Sequence, residues 1–125
     1  MSTTAKTRVY ISCADDGEIA TLEMDGQTGE LTLMGKTKAG KVVMPMAVSP
    51  DRRRLYAAIR SVPYGYASYA IDPDTGLLTH LSTVAAPDNM AYIATDRTGR
   101  FLFGASYAAH RISVNPISKT GSVQA

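Results

Sequence analysis

A set of strand and turn markers returns along this chain at a nearly fixed interval, and that repetition constrains the fold more than any other feature. The stretch Met46–Ala86 (MAVSPDRRRLYAAIRSVPYGYASYAIDPDTGLLTHLSTVAA) carries the whole unit. It divides into four short segments, Met46–Ser49, Arg54–Arg60, Tyr66–Ile71 and Leu77–Val84. Between them lie Pro50-Asp51-Arg52-Arg53, the looser Ser61–Gly65 and the cluster Asp72-Pro73-Asp74-Thr75-Gly76. That cluster is a strong turn, because proline fixes φ and glycine accepts positive φ. Four antiparallel strands in about 40 residues is the pattern of one β-propeller blade.

The flanking segments repeat it. Arg8–Cys13 (RVYISC) matches Arg54–Ile59 (RLYAAI), with Tyr10 and Tyr56 lying 46 positions apart (56 − 10). Thr28-Gly29 precedes Thr75-Gly76 by 47 positions (75 − 28), and Arg100–Ser106 (RFLFGAS) follows Arg53–Ile59 (RRLYAAI) by 47 (100 − 53). Ser118-Lys119-Thr120-Gly121 is a third copy of the Thr-Gly turn. The expected class is therefore all-β, a partial β-propeller of about three antiparallel blades with about three, four and three-to-four strands. The blades are expected over residues 8–40 (incomplete, with nothing before Arg8 to serve as a first strand), 45–84, and 91–125 (stopping one turn into its last strand). No stretch carries a 3.6-residue apolar period, and the Gly and Pro spacing leaves no room for a long helix.

Strand alternation adds a packing expectation. Leu55, Ala57 and Ile59 fall on one face of a strand, and Tyr56, Ala58 and Arg60 on the other. Apolar residues on both faces imply a sheet covered on both sides, as when blades stack. Ala57, Ala58, Gly104 and Ala105 are small enough for neighbouring blades to approach closely, and Met44, Met46 and Met90 are expected to pack between blades.

Several classes of partner are disfavoured. A formal net charge of +2 is too small to argue for nucleic acid or a membrane surface. Arg52-Arg53-Arg54 is the one basic run, and it sits in a tight turn without interleaved aromatics. The single cysteine, Cys13, permits no internal disulfide, which fits a reducing compartment; it is read as an inert thiol. The first residues are polar, without the apolar core of a signal peptide, and no apolar run approaches the ~18 residues of a membrane helix. The expectation is a soluble cytoplasmic protein. No cofactor or metal is expected: Asp15 and Asp16 lack further ligands in sequence, and no Gly-rich phosphate loop, nucleophile elbow or zinc pattern occurs.

At VSPDRRRLYAAIR, AIDPDTGLLTHLSTV and TDRTGRFLFGASYAAHRISV the chain resembles the bacterial lactonase family of seven-bladed propellers, the cytosolic 6-phosphogluconolactonases related to carboxymuconate-lactonizing enzymes. The resemblance spans residues 8–124 and implies the N-terminal part, less than half, of such a ring. It also implies that a C-terminal strand of the parent fills the innermost position of the first blade.

Because blade strands run alternately up and down, residues 50–53 and 72–76 are expected at one end of the sheets. Residues 13–17, 38–45, 60–65, 85–90 and 107–110 are expected at the other, where propeller ligands usually bind. There Arg60 is a candidate for holding a carboxylate or phosphate, with Tyr64 nearby; the ordinary alternative for Arg60 is a rim salt bridge. By the resemblance, Tyr107 matches a family tyrosine that faces the cleft, against the alternative of a satisfied core tyrosine. Tyr92 stands where the family commonly has a histidine. A phenol donates to a lactone carbonyl but is a poor base at neutral pH. His110, on the same end, is a candidate replacement against the alternative of an exposed loop histidine, and His80 is read as structural.

The implied activity is hydrolysis of a sugar-acid lactone by the full-length parent, with a small lactone or sugar acid as the partner molecule. The alternatives are a non-catalytic propeller binding a small carbohydrate or protein, and a lactonizing cycloisomerase. An isolated chain of three blades is expected to self-associate through its open edges.

Overall fold

The computed structural model describes residues 6–125, and among them ten β-strands and no helix. The first sheet is β1 (Thr7–Cys13), β2 (Glu18–Met24) and β3 (Leu31–Lys38). The second is β4 (Val43–Val48), β5 (Arg54–Ile59), β6 (Gly65–Ile71) and β7 (Leu78–Ala85). The third is β8 (Tyr92–Thr95), β9 (Phe101–Ser106) and β10 (Arg111–Pro116), extended by an Ile117–Val123 bridge. Within each sheet each strand pairs antiparallel with the next in sequence, and β4 also lies against β1 and β8 of the neighbouring sheets. Three antiparallel meanders fanned in chain order form a partial β-propeller.

One boundary departs from the sequence reading. Residues 38–45 were expected as a link, yet Lys38 closes β3, and β4 opens at Val43 and runs through Pro45. Proline has no N–H for the ladder, and the pairing of β4 with β5 shifts register between Val43 and Met46, where that missing donor is tolerated.

The second sheet is buried on both sides, as its strand pattern requires. Leu55, Ala57 and Ile59 join Ala67, Tyr69 and Leu78 in a cluster closed by Ile19 of the first sheet. Tyr56, Ala58 and Tyr66 join a cluster closed by Met90, Ile93 and Leu102 of the third-sheet region. Polar contacts fix the stacking. Tyr69 Oη donates to Lys38 O at 3.1 Å, Tyr66 Oη and Ser113 Oγ lie 2.8 Å apart, and Val123 N–H donates to Ser68 Oγ at 3.0 Å. His80 meets Tyr69 edge-on with ring centroids 5.4 Å apart, a structural role in β7.

The turns explain the repeated Asp and Thr-Gly residues. Asp25 Oδ1 accepts the N–H groups of Gln27 and Thr28, and Asp72 Oδ1 those of Asp74 and Thr75. Gly29, Gly76 and Gly121 close the turns at φ of 77°, 78° and 91°, a region where a side chain is strained. Two of these turns are fastened by the preceding sheet. Arg8 Nη2 donates to Asp74 O and Tyr10 Oη to Gly76 O, while Arg54 Nε donates to Thr120 O. The arginine stems lie so close over Gly76 and Gly121 that neither position has space for a Cβ.

Asp96 is the most acidic of the turn carboxyls. The Thr98 hydroxyl and the N–H groups of Phe101, Thr98 and Arg100 hold its pKa down to about 2, and similar bonds lower Asp25, Asp51 and Asp72. A carboxyl whose folded value lies below its unfolded one contributes stability that is present above the unfolded value and lost as pH falls through the folded one. Resistance to urea is therefore expected to fall between about pH 4 and pH 2. Asp96→Asn should flatten part of that fall. An unchanged pH profile in Asp96→Asn would remove Asp96 from the account.

Candidate functional site

Strand alternation gathers the C-terminal ends of β1, β3, β5, β7 and β9 with the N-terminal ends of β2, β4, β6, β8 and β10. Arg60 leaves β5 at this end, and Asp51 precedes β5 at the other. Arg60 follows Tyr56 and Ala58 on the face towards the third sheet. Its backbone N–H donates to Val42 O at 3.0 Å. Its Nε donates to Asn89 Oδ1 at 2.6 Å, and its Nη1 lies 3.5 Å from Met44 Sδ. Asn89 thus takes the inner edge of the guanidinium, and Nη2 makes no bond among the described residues.

The contacts continue in both directions. Ser12 Oγ of the first sheet donates to Met44 O at 2.8 Å. Asn89 N–H donates to Asp88 Oδ1 at 2.8 Å, and Asp88 Oδ2 lies 4.0 Å from Arg111 Nε at the start of β10. A polar line from Ser12 through Met44, Arg60, Asn89 and Asp88 to Arg111 ties the three sheets together here. Met44 is a correction to the packing expectation: it is exposed, with its sulfur against Arg60, whereas Met90 is buried and Met46 packs half-buried on the first core cluster.

The remaining candidates share the end but not the contacts. Tyr92 opens β8 in a cross-strand row with Ala105 and Ile112, on the face of the third sheet turned away from the second; Ile93 points the other way into the core. Tyr92 and Tyr107 are 67% and 73% exposed, so neither is a core tyrosine in this chain. Arg60 and Tyr92 thus flank β8 on opposite sides. His110 is exposed in the turn between β9 and β10, at φ 52°, and Tyr64 lies half-buried beside β6, its carbonyl accepting Ala86 N–H at 3.0 Å. No hydrogen bond joins Arg60 to Tyr64, Tyr92, Tyr107 or His110 among the described residues.

Asn89 and Ser12 escaped the sequence reading. Asn89 lies 29 positions from Arg60, and nothing in Ala-Pro-Asp-Asn-Met marks it before the link between β7 and β8 returns past β5. Among the described residues no group of three or more His, Cys, Asp and Glu side chains is placed to hold a metal ion, and Cys13 is free. A cleft of about 580 Å³ opens at the opposite end, lined in part by Asp51, Arg54, Arg97, Arg100 and Lys119. There Arg54 Nε donates to Thr120 O and Arg100 Nε to Thr98 Oγ1, and the Asp51 carboxylate shares the cleft with its cations.

Comparison with known proteins agrees with this architecture. A 6-phosphogluconolactonase of Yersinia pestis is 41% identical over 120 residues, covering 96% of this chain and 35% of the relative. A crystal structure from Bacteroides uniformis superposes with a TM-score of 0.76 at 28% identity, covering 85% of this chain and 31% of that one. The periplasmic gluconolactonase of Pseudomonas aeruginosa gives a TM-score of 0.80 at 23% identity, covering 95% of this chain and 36% of that one, which speaks to the fold. The chain thus spans about a third of the length of the proteins it matches. The family model described as lactonase, 7-bladed beta-propeller, matches residues 8–125. The chain belongs to the seven-bladed β-propeller lactonase family.

Proposed function

We propose that this chain forms the N-terminal blades of a hydrolase that opens the ester of a sugar-acid lactone, 6-phosphogluconolactone being the substrate favoured by the Yersinia pestis relative's name. The observation that carries the reading on this chain's own residues is Arg60. Its guanidinium is braced by Asn89 and Met44 with one amino group uncommitted, an arrangement suited to an anionic substrate group. Hydrolysis adds water to the lactone carbonyl, passes through a tetrahedral oxyanion, and releases the ring oxygen as a hydroxyl beside a new carboxylate. In this reading Arg60 binds the phosphate and Tyr64 lies at the same rim. The exposed phenols of Tyr92 and Tyr107, across the start of β8 from Arg60, are the candidate donors to the carbonyl oxygen of a lactone that reaches over that strand end. His110 is the candidate within this chain for moving the proton, and the other blades of the parent complete the set. The free Cys13 accords with a reducing compartment, and the cytoplasm is the location we assign.

A direct test joins this chain to the remaining blades of the Yersinia pestis relative. Acid release from 6-phosphogluconolactone is then compared with release from unphosphorylated gluconolactone. A charge-assisted hydrogen bond is worth about 1.5–3 kcal/mol, so Arg60→Ala should raise KM for the phosphorylated lactone at least about tenfold. KM for the neutral lactone should change less than about twofold. Equal rises would end the assignment of Arg60 to the phosphate.

A further inference from the structure

The cleft at the end opposite Arg60 lies between the second and third sheets, and both of its walls belong to this chain. We propose that it is a second anion site, built to take a small molecule carrying a diphosphate group. The inference does not rest on the lactone reading.

One wall is the turn between β4 and β5 with the start of β5, and the other is the turn between β8 and β9 with residues 117–121. Pro50 lies 3.4 Å from where a Cβ of Gly99 would stand, so the two turns meet directly. The buried Tyr56 and Ile117 line the cleft where it meets the core between the sheets. A volume of about 580 Å³ is that of an ordinary small-molecule pocket.

The charge is one-sided. Arg54, Arg97, Arg100 and Lys119 stand against Asp51 alone, a formal excess of +3 (4 − 1) in a chain whose net charge is +2. The ion pairs among the described residues are Lys6–Glu23 and Asp88–Arg111, neither of them in the cleft. Asp51 is turned to its own loop, where Oδ1 accepts the Ser49 hydroxyl at 2.6 Å and Arg53 N–H at 3.0 Å. Arg54 is held through Nε by Thr120 O and through Nη1 by Arg53 O, and Arg100 through Nε by Thr98 Oγ1. Arg54 Nη2 and both Arg100 amino groups make no bond among the described residues. Braced guanidinium groups with amino groups to spare suit phosphate oxygens.

The turns do not need all of these cations. At the 47-residue offset Arg97 holds the place of Pro50, and with Thr120-Gly121 laid on Thr75-Gly76 Lys119 holds that of Asp74. The same closing bond forms in both strand turns, from Arg52 N–H to Ser49 O at 2.9 Å and from Gly99 N–H to Asp96 O at 3.2 Å.

Tyr56 supplies an independent observation. Tyr10, in the same place on β1, donates its hydroxyl to Gly76 O at 2.6 Å, and the hydroxyls of the buried Tyr66 and Tyr69 also have partners. Tyr56 is 1% exposed and lines the cleft, yet its hydroxyl makes no hydrogen bond among the described residues. A buried donor without a partner is costly, and an anion oxygen deep in the cleft satisfies it.

Isothermal titration calorimetry with inorganic pyrophosphate tests this in the 125-residue chain carrying Arg60→Ala, so that the opposite end contributes nothing. Binding should be one-to-one and saturable, and tighter than that of orthophosphate. Arg97→Ala and Lys119→Asp should each weaken it at least about tenfold, as loss of a charge-assisted bond requires. Tyr56→Phe should weaken it about fivefold and leave the urea midpoint unchanged, because the hydroxyl has no internal partner to lose. Arg53→Ala removes a charge from the same basic run outside the cleft and should change affinity less than about twofold. Absence of saturable binding overturns the proposal. So does an equal loss in Arg53→Ala and Lys119→Asp, which would reveal only the diffuse field of a basic turn. A fall in stability rather than affinity in Tyr56→Phe would overturn it as well, by giving that hydroxyl a partner inside the protein.

Discussion

Tyr69→Ala is expected to remove about 3–5 kcal/mol of stability, enough to leave a domain of ordinary marginal stability largely unfolded in mild urea. Tyr69 is fully buried on β6, within the cluster that joins the first and second sheets. It fills the space above Leu55 and Leu78, meets His80 edge-on, and sends its hydroxyl to Lys38 O at the end of β3. Alanine would leave a cavity between two sheets whose backbones are held by their own ladders and cannot collapse into it. Tyr69→Phe keeps the ring and loses one hydrogen bond, so it should cost only about 1 kcal/mol. Burial also pushes the Tyr69 phenol up to about 12. The corresponding stability is present below the unfolded value near ~10 and lost as pH rises through about 12. Tyr69→Phe should therefore reduce alkaline destabilisation even as it weakens the protein slightly at neutral pH. Urea titration followed by circular dichroism measures all three. A loss below about 1.5 kcal/mol for Tyr69→Ala would mean that the sheets close the gap, and that the inter-sheet core is softer than the packing implies.

Most of the fold was legible because a propeller repeats its local chemistry. The Thr-Gly turns place glycine at positive φ, which was visible in sequence at Thr28-Gly29, Thr75-Gly76 and Thr120-Gly121, whereas the capping by Asp25 and Asp72 came only with the structure. The two-sided burial of β5 followed from LYAAI, where neither face carries a charge between Arg54 and Arg60. The entry into β4 was not legible. Proline beside Met44 read as a link, because sequence alone does not reveal that a register shift would accommodate it. Met44 was misplaced for a related reason: an apolar thioether reads as core, whereas here it lies against a guanidinium at an open end.

The candidate site was legible in part. Arg60, Tyr92, Tyr107 and His110 all occur at strand ends that alternation sends the same way, so their shared end could be read without coordinates. What alternation could not supply was the facing of each group. Arg60 turns into the gap between the second and third sheets, and Tyr92 turns out of the third, because Ile93 takes the inward position on β8. Asn89 had no signature, since its role depends on a link passing β5 rather than on its own neighbours. The residue that braces the most suggestive cation is thus the one that sequence patterns conceal.

The isolated 125-residue chain is expected to release acid from 6-phosphogluconolactone no faster than the spontaneous reaction. Donors lower the barrier to a tetrahedral oxyanion when they are preorganised in a site that excludes water, and the same bonds are worth far less in high dielectric. Here the candidate donors are exposed: Tyr92 and Tyr107 keep most of their surface in solvent, and no hydrogen bond among the described residues holds either phenol in place. Two phenols exposed to bulk water and without a fixing partner among the described residues supply little preorganised stabilisation of the transition state over the substrate. Arg60 is better held, so the chain should still bind the anion weakly even without turnover. The two properties separate experimentally. Competition between 6-phosphogluconate and the neutral sugar acid, followed by the nuclear magnetic resonance signals of Arg60 and Asn89, reports binding, and acid release against a protein-free blank reports chemistry. Weak, phosphate-dependent shifts without rate enhancement are the expected result. Turnover abolished by Tyr107→Phe in a monodisperse monomer would show that three blades suffice, and that water exclusion by the rest of a ring is not what makes this site work.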